Sequence, residues 1–229
     1  MEISTILNDT LHTIAQGIFI PTVIGLLIMI SIAIVSLGSI IVEIFTERKR
    51  LKENIPRLLE SFIGKTPFEL EDLIMESKIL RRQKETLLEL LSYRNLPNDV
   101  QRSVAQRLII SEENRYEKVV SITDIVTRLA PMLGLMGTLV PLGPGLLALG
   151  EGDTKLLSES LLIAFDTTVA GLVSAAVCYV ISKVRTTWYE DYMVSLETMM
   201  ETILEEVRIR NEEKEEYSSG NIANEQGEI

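Results

Sequence analysis

Residues 129–150 read LAPMLGLMGTLVPLGPGLLALG and carry no formal charge. About 20 apolar residues, each rising 1.5 Å along a helix, cover the roughly 30 Å hydrocarbon core of a bilayer, so this run is long enough to cross one. Two other runs share this property: residues 10–42, and residues 160–182, which contain a single charged residue, Asp166. The pattern predicts an all-α integral membrane protein with three transmembrane helices.

The composition agrees with this segregation of charge. The chain of 229 residues is 46% hydrophobic and 24% charged, with a mean hydropathy of +0.23. A soluble domain mixes charged and apolar residues every few positions, whereas these values together require long uncharged runs. The formal net charge of -11 disfavours nucleic-acid binding, which needs a basic face. Because Cys178 and His12 are the sole residues of their types, we expect no intramolecular disulfide and no metal site. We also expect no cofactor and no catalytic residue.

The distribution of Lys and Arg predicts the orientation in the membrane. Residues 1–17 contain neither, and residues 151–159 contain only Lys155. The other flanks of the spans are basic, through Arg48, Lys49, Arg50, Lys52, Arg128, Lys183 and Arg185. Since Lys and Arg are enriched in cytoplasmic flanks, we expect the N-terminus outside and a multi-pass protein of the inner or plasma membrane.

The predicted organisation follows from these spans and from helix signals. Thr66, Pro67 and Glu69 form a capping box with proline at the first helical position. It opens one predicted amphipathic helix, whose apolar residues are Leu73, Ile74, Leu80, Leu87, Leu88 and Leu91. From Asp99 to Pro131 no proline or glycine intervenes, which predicts one helix running from the cytoplasm into the second span. The predicted segments are an extracytoplasmic N-terminus (1–17), a first transmembrane helix (18–42), a cytoplasmic helical region (43–128), a second transmembrane helix (129–150), an extracytoplasmic loop (151–159), a third transmembrane helix (160–182), a cytoplasmic helical extension (183–210) and a disordered tail (211–229).

Small residues form a stripe along each of the second and third spans. The α-helical spacing of three and four places on one face Ala130, Gly134, Gly137, Pro141, Gly145 and Ala148, and on another Ser160, Ala164, Thr167, Gly171, Ser174, Cys178 and Ser182. Small stripes let membrane helices approach closely. We expect helix packing and partner contact from Ala130, Pro131, Gly134, Gly137, Pro141, Gly171 and Ser174. Packing within a single chain alone would produce the same stripes.

Several polar side chains lie inside the uncharged runs. They are Thr138, Asp166, Thr167 and Thr168. A charged carboxylate at membrane depth costs at least ~2.5–3.5 kcal/mol, so such a residue usually faces water or a partner. At 100° per residue, Asp166 and Thr168 lie on opposite flanks of the small stripe.

Two motifs resemble those of a known family. Residues 130–138, APMLGLMGT, resemble the second-span signature A-P-x-x-G-L-x-G-T of the MotA/TolQ/ExbB proton-channel family. Residues 164–172, AFDTTVAGL, look like its third-span companion, with a threonine three residues before a Gly-Leu pair. The resemblance covers residues 99–190 well and the remainder in layout only. Members of the ExbB branch tend to carry a glutamate eight residues before this glycine, where this chain has Ile163.

The resemblance implies a function. It implies a homopentameric ring whose inner wall is the second and third spans, with protons or sodium ions driving rotation. The ring would enclose a dimeric partner that resembles ExbD, TolR or MotB, whose single span carries an aspartate. It also implies an ion pathway lined by Thr138 and Thr168, beside Thr167 and Asp166. Asp166 could take part in ion transfer, or bind the partner or a neighbouring subunit, and the sequence leaves both open.

Two other functions match parts of the sequence. A homo-oligomeric membrane scaffold that conducts no ions would show the same stripes, and it stays the alternative. Residues 150–153, GEGD, match the G-x-G-D pattern of intramembrane aspartyl proteases. That chemistry needs two carboxylates facing each other within membrane helices. Asp153 falls in a predicted loop and Asp166 lies on the next helix, so a protease is disfavoured.

Overall fold

The computed structural model describes the backbone of residues 2–45 and 55–227, and the side chains of residues 13–14, 16–45 and 55–213. Within these ranges the chain forms six helices: α1 (Glu2–Glu43), α2 (Ile55–Phe62), α3 (Pro67–Glu76), α4 (Arg81–Ser92), α5 (Asn98–Gly150) and α6 (Thr154–Gly227). The predicted basic cluster at 48–52 and the side chain of His12 lie outside the described residues.

Three helices are long and apolar enough to cross a membrane. They are Gln16–Glu43 within α1, and the long helices α5 and α6. This finding confirms the all-helical membrane fold with three candidate spans. Helix α5 runs unbroken from Asn98, as the absence of breakers predicts, and stays helical through Pro131, Pro141 and Pro144. The outside N-terminus, the cytoplasmic extensions and the pentamer stay predictions.

Helix α6 continues further than the sequence predicts. Its backbone is helical to Gly227, through most of the range 211–229 that the composition predicts as a disordered tail. Glu, Lys and Arg have high helix propensity and dominate residues 205–216. No proline follows Pro144, so the helix has no strong terminator in this range.

The chain divides into two compact units. The membrane unit comprises Met1–Val42 and Lys118–Thr186, and the second unit comprises Glu43–Glu117 and Thr187–Ile229. The uncharged runs 129–150 and 160–182 lie wholly in the membrane unit. Each unit has its own buried cluster.

In the membrane unit, α1 packs through one face. The buried residues of this face recur at helical spacing: Thr22, Leu26, Ala33, Ser36 and Ile40. Ala33 belongs to a cluster that also contains Val126, Ala130, Ala175 and Cys178. Most side chains in this cluster are small, so the three helices approach closely.

The second unit is built around large side chains from α2, α3, α4 and α6. Those with the least exposure are Phe62, Leu70, Ile74, Leu87, Leu91, Met199, Met200 and Ile203. The sequence predicts one amphipathic helix from Pro67 to Leu91, whereas α3 ends at Glu76 and α4 begins at Arg81. The Ser77 hydroxyl donates a hydrogen bond to the Ile74 carbonyl, and this local bond competes with helix continuation.

The capping box at the start of α3 is confirmed. The Glu69 amide donates to the Thr66 hydroxyl at 3.2 Å, and the Thr66 amide donates to the Glu69 carboxylate at 2.8 Å. The hydrogen bond from the Thr66 backbone is the main reason that the pKa of Glu69 is lowered, with the Thr66 side chain second. The ionised carboxylate is therefore the form that the fold favours.

We expect Thr66→Ala to lower the stability of the second unit by about 1 kcal/mol, because the amide of Glu69 loses its acceptor. Thr66→Ser should keep most of that stability.

Since folding lowers the pKa of Glu69, the contribution of this carboxylate to stability is present above the unfolded pKa and is lost as pH falls through the folded value. Thermal denaturation of Glu69→Gln and wild type between pH 3 and 7 checks the sign: the difference between them should vanish in acid. A difference that grows in acid contradicts it.

Candidate functional site

Helices α5 and α6 approach each other closely at Gly171. A Cβ built on Gly171 would lie 2.6 Å from the carbonyl oxygen of Ala130 and 3.1 Å from the Cα of Gly134. No real Cβ tolerates 2.6 Å to a backbone oxygen, so only glycine fits at this position. A side chain at Gly134 would also be crowded, since a Cβ built there would lie 3.1 Å from the Thr167 carbonyl oxygen.

The same contact continues toward the loop that joins the two helices. A Cβ on Gly137 would lie 2.7 Å from the Cβ of Thr167, and one on Gly145 would lie 2.9 Å from the Cβ of Ser160. The two small-residue stripes therefore face each other within one chain. Of the residues predicted for helix packing, Ala130 and Ser174 are fully or almost fully buried, whereas Pro131 and Pro141 are half-buried.

The predicted polar residues occupy different places around this contact. Thr167 lies in the contact itself, and its hydroxyl donates to the carbonyls of Ile163 and Ala164 at 3.0 Å. Thr138 and Thr168 are half-buried at its edge. Their hydroxyls also donate within their own helices, to the Leu135 carbonyl at 2.6 Å and to the Ala164 carbonyl at 3.2 Å.

Thr138 and Thr168 lie on the same side of the α5–α6 contact as a hydrogen bond that the sequence did not predict. The Ser182 hydroxyl of α6 donates to the carboxylate of Asp124 on α5. Thr138 follows Asp124 by two heptads, and Thr168 precedes Ser182 by two heptads. Two heptads return to within about 40° of the same helix face, and the two helices run in opposite directions. Thr138 and Thr168 therefore lie on the side of the pair that carries this bond. We call this side the threonine flank.

Helix α1 lies on another side of α5. A Cβ on Gly25 of α1 would lie 3.2 Å from a methyl group of Leu133. At 100° per residue, Leu133 is about 140° from Thr138 and about 180° from Asp124 around α5. Within the chain, α1 therefore does not pack over the threonine flank.

Asp166 is not brought together with Thr138 and Thr168. It is exposed, and it lies about 200° around α6 from Thr168. Its exposed neighbours one turn away include Ile163 and Val169, at 44% and 58% exposure. In the single chain, apolar side chains flank this carboxylate, and the next acid on its face of α6 is Glu159, two turns earlier.

The sequence does not single out the pair Asp124 and Ser182. Asp124 lies before Arg128, outside the uncharged run 129–150, so it is not a charge within a predicted span. Ser182 was assigned to the packing stripe alone. Arg185, a further buried polar residue at 5% exposure, donates to the Ser39 hydroxyl of α1 at 2.8 Å. The signal that could have found Asp124 is its heptad relation to Thr138.

The described side chains offer little for other chemistries. They contain no group of three or more His, Cys, Asp or Glu that could hold a metal ion. Asp153, the acid of the G-x-G-D match, accepts hydrogen bonds from the amides of Lys155 and Leu156 at 3.1 and 3.0 Å. Asp153 therefore caps the first turn of α6, and this structural role accounts for an aspartate at this position.

Comparison with known proteins identifies the family. The family model described as MotA/TolQ/ExbB proton channel family matches residues 71–198, more than half of the chain. The match includes the contact between α5 and α6, the threonine flank and Asp166. No curated protein matches the chain. The chain therefore belongs to the MotA/TolQ/ExbB proton channel family.

Proposed function

We propose that this chain is the ring-forming subunit of a rotary membrane motor driven by an ion gradient. Membership of the family indicates an ion-driven, energy-transducing membrane channel. In the proposed assembly, the N-terminus lies outside, five copies form a ring, and the ring encloses the transmembrane helices of a dimeric partner. Each partner helix contributes an aspartate that binds a proton or sodium ion from outside and releases it inside.

The threonine flank is the observation that carries this proposal. Tight packing at Gly134, Gly137 and Gly171 holds α5 and α6 as one pair, so their outward faces have a fixed relation. The pair presents Thr138 and Thr168 at a half-buried edge that α1 does not occupy. Hydroxyl groups can serve a charged carboxylate or a hydrated ion as donors and acceptors. Turned toward the axis of the ring, this edge would form a polar station at membrane depth.

The proposed mechanism is electrostatic. A partner carboxylate that is charged is held at the hydroxyl groups of Thr138 and Thr168, because moving it against an apolar wall is costly. When the carboxylate is neutralised by an ion, the partner helix can pass the apolar faces of the ring. A membrane potential supplies ~2.3 kcal/mol per charge per 100 mV, which makes the movement directional.

Ion flux through the reconstituted complex tests this proposal. The protein, purified from its native membrane with any single-span protein that accompanies it, is placed in liposomes, and proton and sodium uptake are followed under an imposed potential. We expect uptake of one of these ions and co-purification of a partner with an aspartate in its span. A complex that assembles but passes neither ion supports the alternative, a non-conducting homo-oligomeric scaffold.

Asp166 yields a separate prediction. Because it lies on the flank opposite Thr168, we expect its charge to bind a neighbouring subunit or the partner and not to transfer ions. Asp166→Asn should reduce the recovery of assembled complex severalfold, while flux per assembled complex stays near that of wild type. Glu159→Gln, which changes an exposed acid two turns earlier on α6, is the control and should assemble normally. Normal assembly of Asp166→Asn with loss of flux assigns the residue to ion transfer and contradicts this expectation.

A further inference from the structure

The hydrogen bond between Ser182 and Asp124 lies at one end of the threonine flank, and Thr138 and Thr168 lie at the other. Fourteen residues of helix separate Asp124 from Thr138, which is about 21 Å. Asp124 is half-buried, and Ser182 is 6% exposed. The flank therefore carries hydroxyl groups at one level and a carboxylate about two-thirds of a bilayer core away.

The middle of the flank is marked by Pro131 on α5 and Ala175 on α6, each one heptad from both ends. Proline has no amide hydrogen, so the carbonyl of Thr127, four residues earlier, receives no hydrogen bond from it. The Thr127 hydroxyl donates elsewhere, to the Thr123 carbonyl at 2.9 Å. A carbonyl freed in this way is tolerated at membrane depth where water or protein satisfies it.

Ala175 of α6 is 7% exposed and belongs to the same buried cluster as Ala130, the neighbour of Pro131 in the chain. Thr127 and Pro131 are both half-buried. A water molecule on the flank that donates a hydrogen bond to the Thr127 carbonyl would lie between Asp124 and the two threonines, Thr138 and Thr168. Along α5, Thr127 lies 11 residues, or about 16.5 Å, from Thr138 and three residues, or about 4.5 Å, from Asp124.

We propose that Asp124 is the proton acceptor at the inner end of the ion pathway. This inference rests on the proposed function and on its orientation, which puts the Asp124 end of α5 toward the cytoplasm. A proton released from the partner at Thr138 and Thr168 passes along water beside the Thr127 carbonyl and binds the Asp124 carboxylate. It then leaves to cytoplasmic water, so the carboxylate returns to its starting state and no other bond changes.

Basic residues on both helices lie within one turn of Ser182 and Asp124. Ser182 donates to one carboxylate oxygen, which holds the group at the edge of the helix pair. Arg185, three residues after Ser182, directs its guanidinium to Ser39 of α1. Arg128 lies one turn from Asp124 on α5 and is exposed. Within residues 10–42, α1 contributes no charged residue.

The test separates a carboxylate that carries protons from one that only holds the helices together. Asparagine keeps the shape of Asp124 and can still accept the Ser182 hydrogen bond, but it cannot bind and release a proton. Ser182→Ala removes that hydrogen bond and keeps the carboxylate. Proton uptake per assembled complex is measured in liposomes for Asp124→Asn, Asp124→Glu and Ser182→Ala.

We expect Asp124→Asn to lower proton uptake at least about tenfold, because a positioned proton-transfer group is worth ~10²–10⁴-fold and water replaces part of it. Asp124→Glu and Ser182→Ala should retain most of the uptake. The opposite pattern, with Asp124→Asn active and Ser182→Ala impaired, shows a structural role and overturns the inference. Wild-type uptake with an equally active Asp124→Asn also overturns it while the proposed function stands. A wild-type complex that takes up sodium ions and no protons overturns the inference while the proposed function stands, and one that takes up neither ion removes both.

Discussion

Gly171→Leu is expected to destroy the packing of α5 against α6 and, with it, the recovery of folded protein. Even the first side-chain carbon would lie 2.6 Å from the Ala130 carbonyl oxygen and 3.1 Å from the Cα of Gly134. Both neighbours are backbone atoms on a helix, so they cannot rotate away as a flexible side chain would. The helices must separate, and the close contacts at Gly137 and Gly145 are lost together with this one.

The size of the effect should exceed that of ordinary overpacking. Extra methylene groups in a packed core cost about 1–3 kcal/mol, and here the whole helix pair must shift. Gly143→Leu is the matched control, since a Cβ on Gly143 would meet nothing within 4 Å. Both variants add the same side chain to a glycine in a span. The midpoint of thermal unfolding in detergent should fall strongly for Gly171→Leu and little for Gly143→Leu; equal midpoints would show that the α5–α6 contact is not as close as described.

Thr138→Val and Thr168→Val are expected to give the largest losses of ion flux without loss of assembly. Valine has nearly the shape of threonine and lacks its hydroxyl. A hydrogen bond to a charged group contributes about 1.5–3 kcal/mol, and each 1.36 kcal/mol changes a rate tenfold. We therefore expect flux to fall about ten- to a hundredfold in each variant, because every copy in the proposed ring loses the group.

The controls separate the hydroxyl from the position and from the substitution. Thr138→Ser and Thr168→Ser keep the hydroxyl and should keep most of the flux. Thr198→Val makes the same change at an exposed threonine of the second unit, whose hydroxyl donates to the Val194 carbonyl. It should behave as wild type. Full flux in both Thr138→Val and Thr168→Val would show that the threonine flank does not line the pathway.

Much of the fold could be predicted from where charge is missing. The three candidate spans follow from the uncharged runs, and the continuity of α5 follows from the absence of proline and glycine between Asp99 and Pro131. The capping box at Thr66 is a local pattern and is confirmed at its predicted residues. The break between α3 and α4 was missed, because it depends on the Ser77 hydroxyl, which periodicity does not register.

The candidate site was harder to predict, because a stripe of small residues does not indicate which helix packs against it. Spacing alone left open whether Gly134 and Gly171 face another chain or each other, and the structure places them against each other. Thr167 looked like its neighbour Thr168, yet its methyl and hydroxyl pack on Gly137. Whether Thr138 and Thr168 share a flank depends on how two antiparallel helices are rotated, and that was fixed here by the bond between Ser182 and Asp124.

The most direct test of the proposed motor is a cryo-EM map of the protein purified with any single-span protein that accompanies it. We predict a closed ring of copies around an axial helix pair, with Thr138 and Thr168 of each copy facing that pair and α1 on the outer side. A map in which the copies enclose no axial passage, or in which the threonine flank is sealed against a neighbouring copy, contradicts the proposed motor.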